Sequence, residues 1–455
     1  MSEAVLPLVS GRALYDTLAW TPRGPVSVAR YCADVQALAH WLPAGRWVIN
    51  LVEDRYHCAV LLGACAVSGR ISLQPSSQSH AVLRQLADAY PGCHALLDAV
   101  PAQPLPVSAL HLPPLQAGEA PAIPQVPQDA TVAVLFTSGS TGQPTPHAKT
   151  WGRLVANGRS EAQALGLDAR PHTLVGTVPA QHSYGFESTL LLALHGGCAF
   201  WSGKPFYPQD LADALAVVPR PRLVVTTPFH LAHIVASDVR LPAVDGWLSA
   251  TAPLDAALAA QVEQASGAPV HEIYGSTESA QLATRRTVQG PEWTPMPGVQ
   301  LEQQGDTTWA QGLHVEGRVP LSDVLAVQPD GRFTLLGRHA DMVNLAGRRT
   351  SLAYLNELLR GIDGVQDGAF FLPRDDALRQ VGRLAAFVVA PDVPAAALQA
   401  ALRERIDPVF LPRPLVQVPA LPRNGTGKLL RATLEQLYRD CVAQPGVARE
   451  SGDAA

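Results

Sequence analysis

Apolar and polar positions along this chain fall into blocks that switch period. Over Val28–Trp41 the apolar residues recur at three- and four-residue spacing, which predicts an amphipathic helix. The run WVINLV at 47–52 reads as a buried strand, residues 56–69 return to helical spacing, and ISLQP reads as the next strand. The alternation resumes with TVAVLFT (131–137), LVGTV (174–178), LVVTT (223–227), GWLSAT (246–251) and VHEIYG (270–275), with helical patterns between them. Strands interleaved with helices predict a mostly parallel sheet covered on both faces. Between these sets, residues 101–129 are proline-rich and aperiodic and predict an extended surface connection. Residues 313–337 predict short β-hairpins with Asp330-Gly331 as a turn. A smaller α/β pattern begins at Arg338, ends in a helix over 429–441, and leaves a polar tail expected to be disordered.

Composition narrows the class. A chain of 455 residues suggests two or three structural units. It is 47% hydrophobic and 16% charged, below the roughly 25% charge of average domains, so a large core is available and global disorder is excluded. The net charge of −5 offers no basic footprint for nucleic acid. The N-terminal MSEAVLPLVSGRAL lacks the pattern of a secretory signal, and the longest apolar run, near 59–67, is too short to span a bilayer. Six scattered cysteines without CxxC spacing point to reduced thiols. A soluble, cytoplasmic protein with neither nucleic-acid partner nor membrane insertion is expected. Arginine has displaced lysine almost everywhere, leaving Lys149, Lys204 and Lys428. A site that needs a compact ammonium would resist that drift.

Four segments carry candidate chemistry. Thr137-Ser138-Gly139-Ser140-Thr141-Gly142 follows an apolar strand; its glycines let backbone N–H groups converge and its hydroxyls add donors, as a polyphosphate requires. The GxxxxGK[ST] spacing of a Walker loop is absent. Tyr274-Gly275-Ser276-Thr277-Glu278 also stands at a strand end. There an aromatic ring could stack on a base, a hydroxyl reach a phosphate and a carboxylate hold Mg²⁺; a capped helix start would give the same letters. The third runs from Gly337-Arg338 to Arg348-Arg349, and the fourth, Pro422-Arg423-Asn424-Gly425-Thr426-Gly427-Lys428, is a glycine-flanked lysine ahead of a helix.

In order and spacing, these segments resemble the adenylate-forming superfamily of acyl-CoA synthetases, aryl-CoA ligases and peptide-synthetase adenylation domains, through nearly the whole chain. The resemblance implies a two-domain α/β fold: a large N-terminal α/β AMP-binding domain over 1–337, a small mobile C-terminal α+β domain over 338–443, and the tail 444–455. It implies ATP and Mg²⁺ as cofactors, with residues 137–142 around the β- and γ-phosphates. Tyr274, Gly275, Ser276 and Thr277 would sit at the adenine and phosphates, and Glu278 on the metal. Asp323 and Arg338 would contact the ribose, and Lys428 the carboxylate and α-phosphate, where a point cation relieves like-charge repulsion. Three departures stand out. The usual Pro-Lys-Gly after the phosphate loop is Pro144-Thr145-Pro146, so that Lys149 either takes over the phosphate contact or is merely solvated. The hinge position after Arg338-His339 is Ala340, and the wall between adenine and acyl group reads Ser249-Ala250-Thr251-Ala252-Pro253.

On the acyl side, the resemblance places His182 near the reacting carboxylate. Tyr184 and Ser188, four apart, share one helical face, with Ala250 and Thr251 completing the pocket. Two buried hydroxyls suit a phenol better than an alkyl chain, unless they only satisfy each other or the backbone. The expected activity is ATP-dependent activation of a carboxylic acid, such as 4-hydroxybenzoate, followed by transfer to a phosphopantetheine thiol of an acyl carrier protein or CoA. The compact length also resembles the acyl-carrier-protein ligases of aryl-polyene pigment synthesis. A fatty acyl synthetase and a non-catalytic nucleotide-binding protein of the same fold are the alternatives.

Overall fold

The computed structural model describes residues 4–75, 77–101, 103–115, 118–138, 144–305, 307–338, 342–345, 348–373, 383–423 and 429–443. They divide into two compact units, the first comprising Met1–Gln304, Trp309–Pro320 and Val327–Phe333, the second Gly305–Thr308, Leu321–Ala326 and the chain from Thr334.

In the first unit, the strands Val270–Ser276, Gly246–Ser249, Arg222–Thr226, Thr173–Gly176, Ala199–Trp201 and Thr17–Thr21 lie side by side in that order and run parallel. Antiparallel strands flank them, Ala280–Arg286 on one side and Gly24–Ser27 on the other. The central members, such as Val224, Val225 and Leu248, are buried on both faces, which is why their sequences are unbroken apolar runs rather than alternating ones. A second sheet orders Pro144–Thr150, Thr131–Ser138, Ile71–Gln74, Trp47–Asn50, His94–Leu97 and Ala109–His111, parallel except for Pro144–Thr150. The main core gathers Val28–Trp41 and Arg55–Val67 with the buried helical segment that begins at Tyr184. Ser27 and Asp54 cap the two helices, each accepting from a backbone N–H of the first turn.

In the second unit, Asp367–Phe371, Ala385–Val389 and Leu415–Gln417 form a three-stranded sheet. Leu352–Arg360 and Ala395–Arg405 cover one face through Leu355, Leu359, Leu398 and Leu402. Leu434 of the Arg431–Ala443 helix packs with Phe371 and Phe387, which point to the other side. The large α/β unit and smaller α+β unit match the fold class the sequence predicts.

Differences are local. The strand predicted over 246–251 ends at Ser249, because Thr251 adopts φ 79°, outside strand geometry. The proline-rich connection contributes two short strands, Ala109–His111 and Gln125–Pro127; the latter pairs with Val5–Pro7. The Asp330-Gly331 turn is present: the Gln328 N–H donates to the Arg332 carbonyl at 2.7 Å and Gly331 takes φ 86°.

Candidate active site

The strand Val270–Ser276 runs into a turn at 277–279 and returns as Ala280–Arg286, so strand-turn-strand replaces the capped-helix alternative. A Cβ at Gly275 would collide with the Ala280 carbonyl, and Ala280 itself sits at φ 59°. The turn is tied internally by the Ser276 N–H to Ser279 Oγ at 3.2 Å and by the two serine hydroxyls at 3.1 Å. Thr277 Oγ1 donates to Ser183 Oγ at 3.1 Å, and the Tyr274 ring packs beside Trp293 and Phe333. Glu278 is left accessible, its side chain 45% exposed.

The neighbouring Pro144–Thr150 strand brings two basic residues to this turn by two-residue alternation. His147 Nε2 lies 3.1 Å from Thr137 Oγ1 and 3.7 Å from Glu278 Oε1. Burial holds its pKa down, with Lys149 adding to the depression and Glu278 opposing it. Lys149 is only 3% exposed and donates from Nζ to the Thr277 carbonyl at 2.7 Å. The solvated alternative for this lysine therefore fails. Desolvation lowers its pKa against the pull of Glu187, Glu316 and Glu278. Pairing with Thr131–Ser138 shifts register between Lys149 and Thr150, where Glu316 Oε1 accepts from the Thr150 N–H at 2.7 Å and its hydroxyl at 2.8 Å.

His182 caps the next element, its Nδ1 accepting from the Tyr184 N–H at 3.3 Å. A short turn, Ser183–Gly185, continues as a π-helix over Phe186–Leu191, a geometry that recurs at functional sites. Gly185 has no room for a Cβ beside the Pro179 carbonyl. Tyr184 and Ser188 are both buried and both already partnered: Tyr184 Oη donates to the Leu248 carbonyl at 2.8 Å, and Ser188 Oγ accepts from Gln281 Nε2 at 2.7 Å. Ala250 is buried, and the Thr251 hydroxyl is buried without a hydrogen-bond partner among the described residues.

The sequence reading missed the charged groups behind this surface. Gly158 lets the Trp151–Ala164 helix approach the Leu191 carbonyl, setting Asn157 and Glu161, one turn apart, among Glu187, Ser188 and Gln281. Glu161 is fully buried; among the described residues its carboxyl oxygens make no hydrogen bond of full geometry, with Ser188 and Gln281 the side chains that act on it as weak donors. Burial drives its pKa up to about 8; Glu187 adds to the rise while Ser188 and Gln281 oppose it. Glu187 is likewise pushed up to about 8 by burial, against Lys149 and Asn157. A glutamate inside the apolar run YGFESTLLLALHGG was the available signal for Glu187; Glu161 stands in a polar stretch that offered none.

Arg55, also missed, anchors the frame. Fully enclosed, it donates to the carbonyls of Gly176, Val178, Trp201 and Gly203 at 2.6–3.1 Å and to Thr189 Oγ1 at 3.1 Å. Burial lowers its pKa to about 10, with Cys58 and Asp54 opposing. It thereby fixes the segment leading to His182 against the π-helix.

The remaining expected residues fall elsewhere. Gly139, Ser140, Thr141, Gly142, Ala340 and Lys428 lie outside the described residues, and Ser138 and Arg338 are described by backbone alone. Asp323 opens the strand Asp323–Val327 in the second unit. The described residues contain no cluster of three or more metal-ligating side chains and no helix long and apolar enough to cross a membrane. One accessible carboxylate, Glu278, fits Mg²⁺ that arrives on nucleotide phosphates, which needs only one or two protein carboxylates.

Residues 48–315 match the model of the AMP-binding enzyme family. The chain is 31% identical to the 4-coumarate–CoA ligase of Rhodobacter capsulatus, over 68% of this chain and 75% of that one. It is 25% identical to the fatty acid–[acyl-carrier-protein] ligase MmaC of Mycobacterium marinum, over 68% and 69% of the two chains. Among solved structures, o-succinylbenzoate CoA synthetase from Bacillus subtilis, in complex with its acyl-adenylate intermediate, superposes with a TM-score of 0.79 at 20% identity, covering 95% of this chain and 98% of that one. That likeness bears on the fold alone.

Proposed function

The chain belongs to the AMP-binding enzyme family and is an AMP-forming acid–thiol ligase, and from that premise we propose that its acid is a hydroxylated aromatic acid of the 4-hydroxybenzoate kind. A carboxylate oxygen of the acid attacks the α-phosphorus of ATP, the bond to the bridging oxygen breaks, and pyrophosphate leaves. The sulfur of a phosphopantetheine thiol, on an acyl carrier protein or CoA, then attacks the acyl carbon, loses its proton and releases AMP. Mg²⁺, held in part by Glu278, would neutralise charge on the departing pyrophosphate. Thr137 and Thr277 offer hydroxyls to the phosphates and Tyr274 a face for the base. Asp323 and Arg338 would hold the ribose. Lys428 supplies the cation between the two anions that must meet, and His182 orients the carboxylate.

The observation that carries the aromatic reading is Glu161: a fully buried carboxyl that makes no full hydrogen bond among the described residues, with only weak donation from Ser188 and Gln281, and near enough to Tyr184 to perturb its hydroxyl. An unsatisfied buried polar group costs roughly 1–3 kcal/mol. A ring hydroxyl reaching it removes that cost, whereas an alkyl chain preserves it. The similarity to a 4-coumarate–CoA ligase supports an aromatic acid, and the similarity to a fatty acid–carrier-protein ligase supports a carrier protein as acceptor. Acid-dependent ATP–pyrophosphate exchange tests the reading across hydroxybenzoates, hydroxycinnamates, their methyl ethers and fatty acids of graded length. Exchange with hydroxylated aromatic acids and at least tenfold less with the ethers is expected; exchange confined to fatty acids would overturn it.

A further inference from the structure

Lys149 is one of three lysines in an arginine-rich chain, and it is buried. Among the described residues its single hydrogen bond goes to the backbone carbonyl of Thr277. That carbonyl belongs to the turn presenting the Thr277 hydroxyl and the Glu278 carboxylate. A buried ammonium requires counter-charge, and the carboxylates acting on Lys149 are Glu187, Glu316 and Glu278. Glu187 belongs to the π-helix, next to Ser188 and three residues after Tyr184. Glu316 is committed to the Thr150 backbone and hydroxyl, directly after Lys149. One buried cation thus stands directly under the turn assigned to the nucleotide.

We propose that Lys149 is a positioning residue: buried beneath the Thr277–Glu278 turn, it holds that turn through the Thr277 carbonyl rather than contacting phosphate itself. This role rests on the ligase reading above. It accounts for a lysine kept at a strand end where it reaches no solvent.

The test uses Lys149→Met, Glu187→Gln and the double variant, which removes the cation together with the carboxylate it would otherwise strand. Three readouts are taken on the full chain: ATP dissociation constant by calorimetry, kcat and KM for pyrophosphate exchange, and amide hydrogen exchange of the peptide covering residues 274–280. In the double variant, ATP affinity should stay within about twofold while kcat falls at least tenfold and exchange of that peptide rises. Tenfold weaker ATP binding would make Lys149 a phosphate ligand and overturn the proposal. Unchanged kcat would also overturn it, as would a fall in kcat with unaltered exchange of the turn. A wild-type protein that binds ATP yet catalyses no exchange with any acid would remove the ligase reading. The hydrogen-exchange comparison would then decide the positioning role by itself.

Discussion

Replacing Glu161 with glutamine keeps the shape of the side chain and removes its proton equilibrium. In an unfolded chain a glutamate titrates near 4.3, while burial in the native protein lifts Glu161 to about 8. Between those values the folded state keeps a proton that the unfolded state has released, so stability falls as pH rises. Below about pH 4 both states are protonated and the group contributes nothing; above the native pKa the cost is fully expressed. At ~1.36 kcal/mol per unit, a gap of roughly 3.7 units sets a ceiling of about 5 kcal/mol. Glu161→Gln should therefore lie within about 1 kcal/mol of the wild type at pH 5 and exceed it by about 2–5 kcal/mol at pH 9. Because Glu187 still titrates, the wild-type slope should be reduced rather than abolished. Urea unfolding at pH 5 to 9, followed by tryptophan fluorescence, measures this in the right place, since all eight tryptophans lie in the first unit. Parallel stability–pH curves for the two proteins would refute a carboxyl buried at a cost, and with it the basis for assigning the acid.

Arg55→Met leaves four carbonyls, those of Gly176 and Val178 buried, without this donor and should cost about 3–5 kcal/mol, read by the same fluorescence assay; Arg55→Lys should not rescue it, since an ammonium cannot span acceptors that far apart. Thr251→Gly relieves a left-handed conformation costly for a β-branched residue, so a gain of about 1 kcal/mol is expected, with a changed KM for the acid and an unchanged one for ATP; a loss of stability would mean the hydroxyl has a partner in the working protein. Lys428→Ala should abolish pyrophosphate exchange while sparing thioester formation from supplied acyl-adenylate, and equal loss of both steps would contradict its assigned role.

What the sequence made legible was whatever follows from periodicity and local chemistry. The helix over Val28–Trp41 was read to its terminal residues, because Ser27 caps it and its apolar spacing is regular. The buried parallel strands announced themselves as apolar runs. The acid side of the site was harder. Spacing set Tyr184 and Ser188 on one helical face, whereas the chain there is a short turn followed by a π-helix and their partners, Leu248 and Gln281, arrive from remote strands. Lys149 reads from sequence as either a phosphate contact or a solvated lysine, and its burial emerges only where the turn carrying Thr277 packs on it. Arg55 heads an apolar helix, where a charge in the first turn ordinarily reaches water; only the assembled fold encloses it. The buried charges are products of tertiary packing, and one-dimensional patterns carry little trace of them.

The π-helix at Phe186–Leu191 has an implication for how this pocket diversifies among related genes. A π turn is an α-helix holding one surplus residue, so losing a single codon from its second half would restore ordinary winding without disturbing the strands at either end. Each upstream residue would then step into its successor's place, rotated by about 100°. Glu187 would face Gln281 where Ser188 now does, and Ser183 would take the position of Tyr184 beside the Leu248 carbonyl. One small indel would exchange the hydroxyls of the acid pocket for a carboxylate and a shorter alcohol. A change in substrate choice would leave the alignment with a one-residue gap and no diagnostic point substitution.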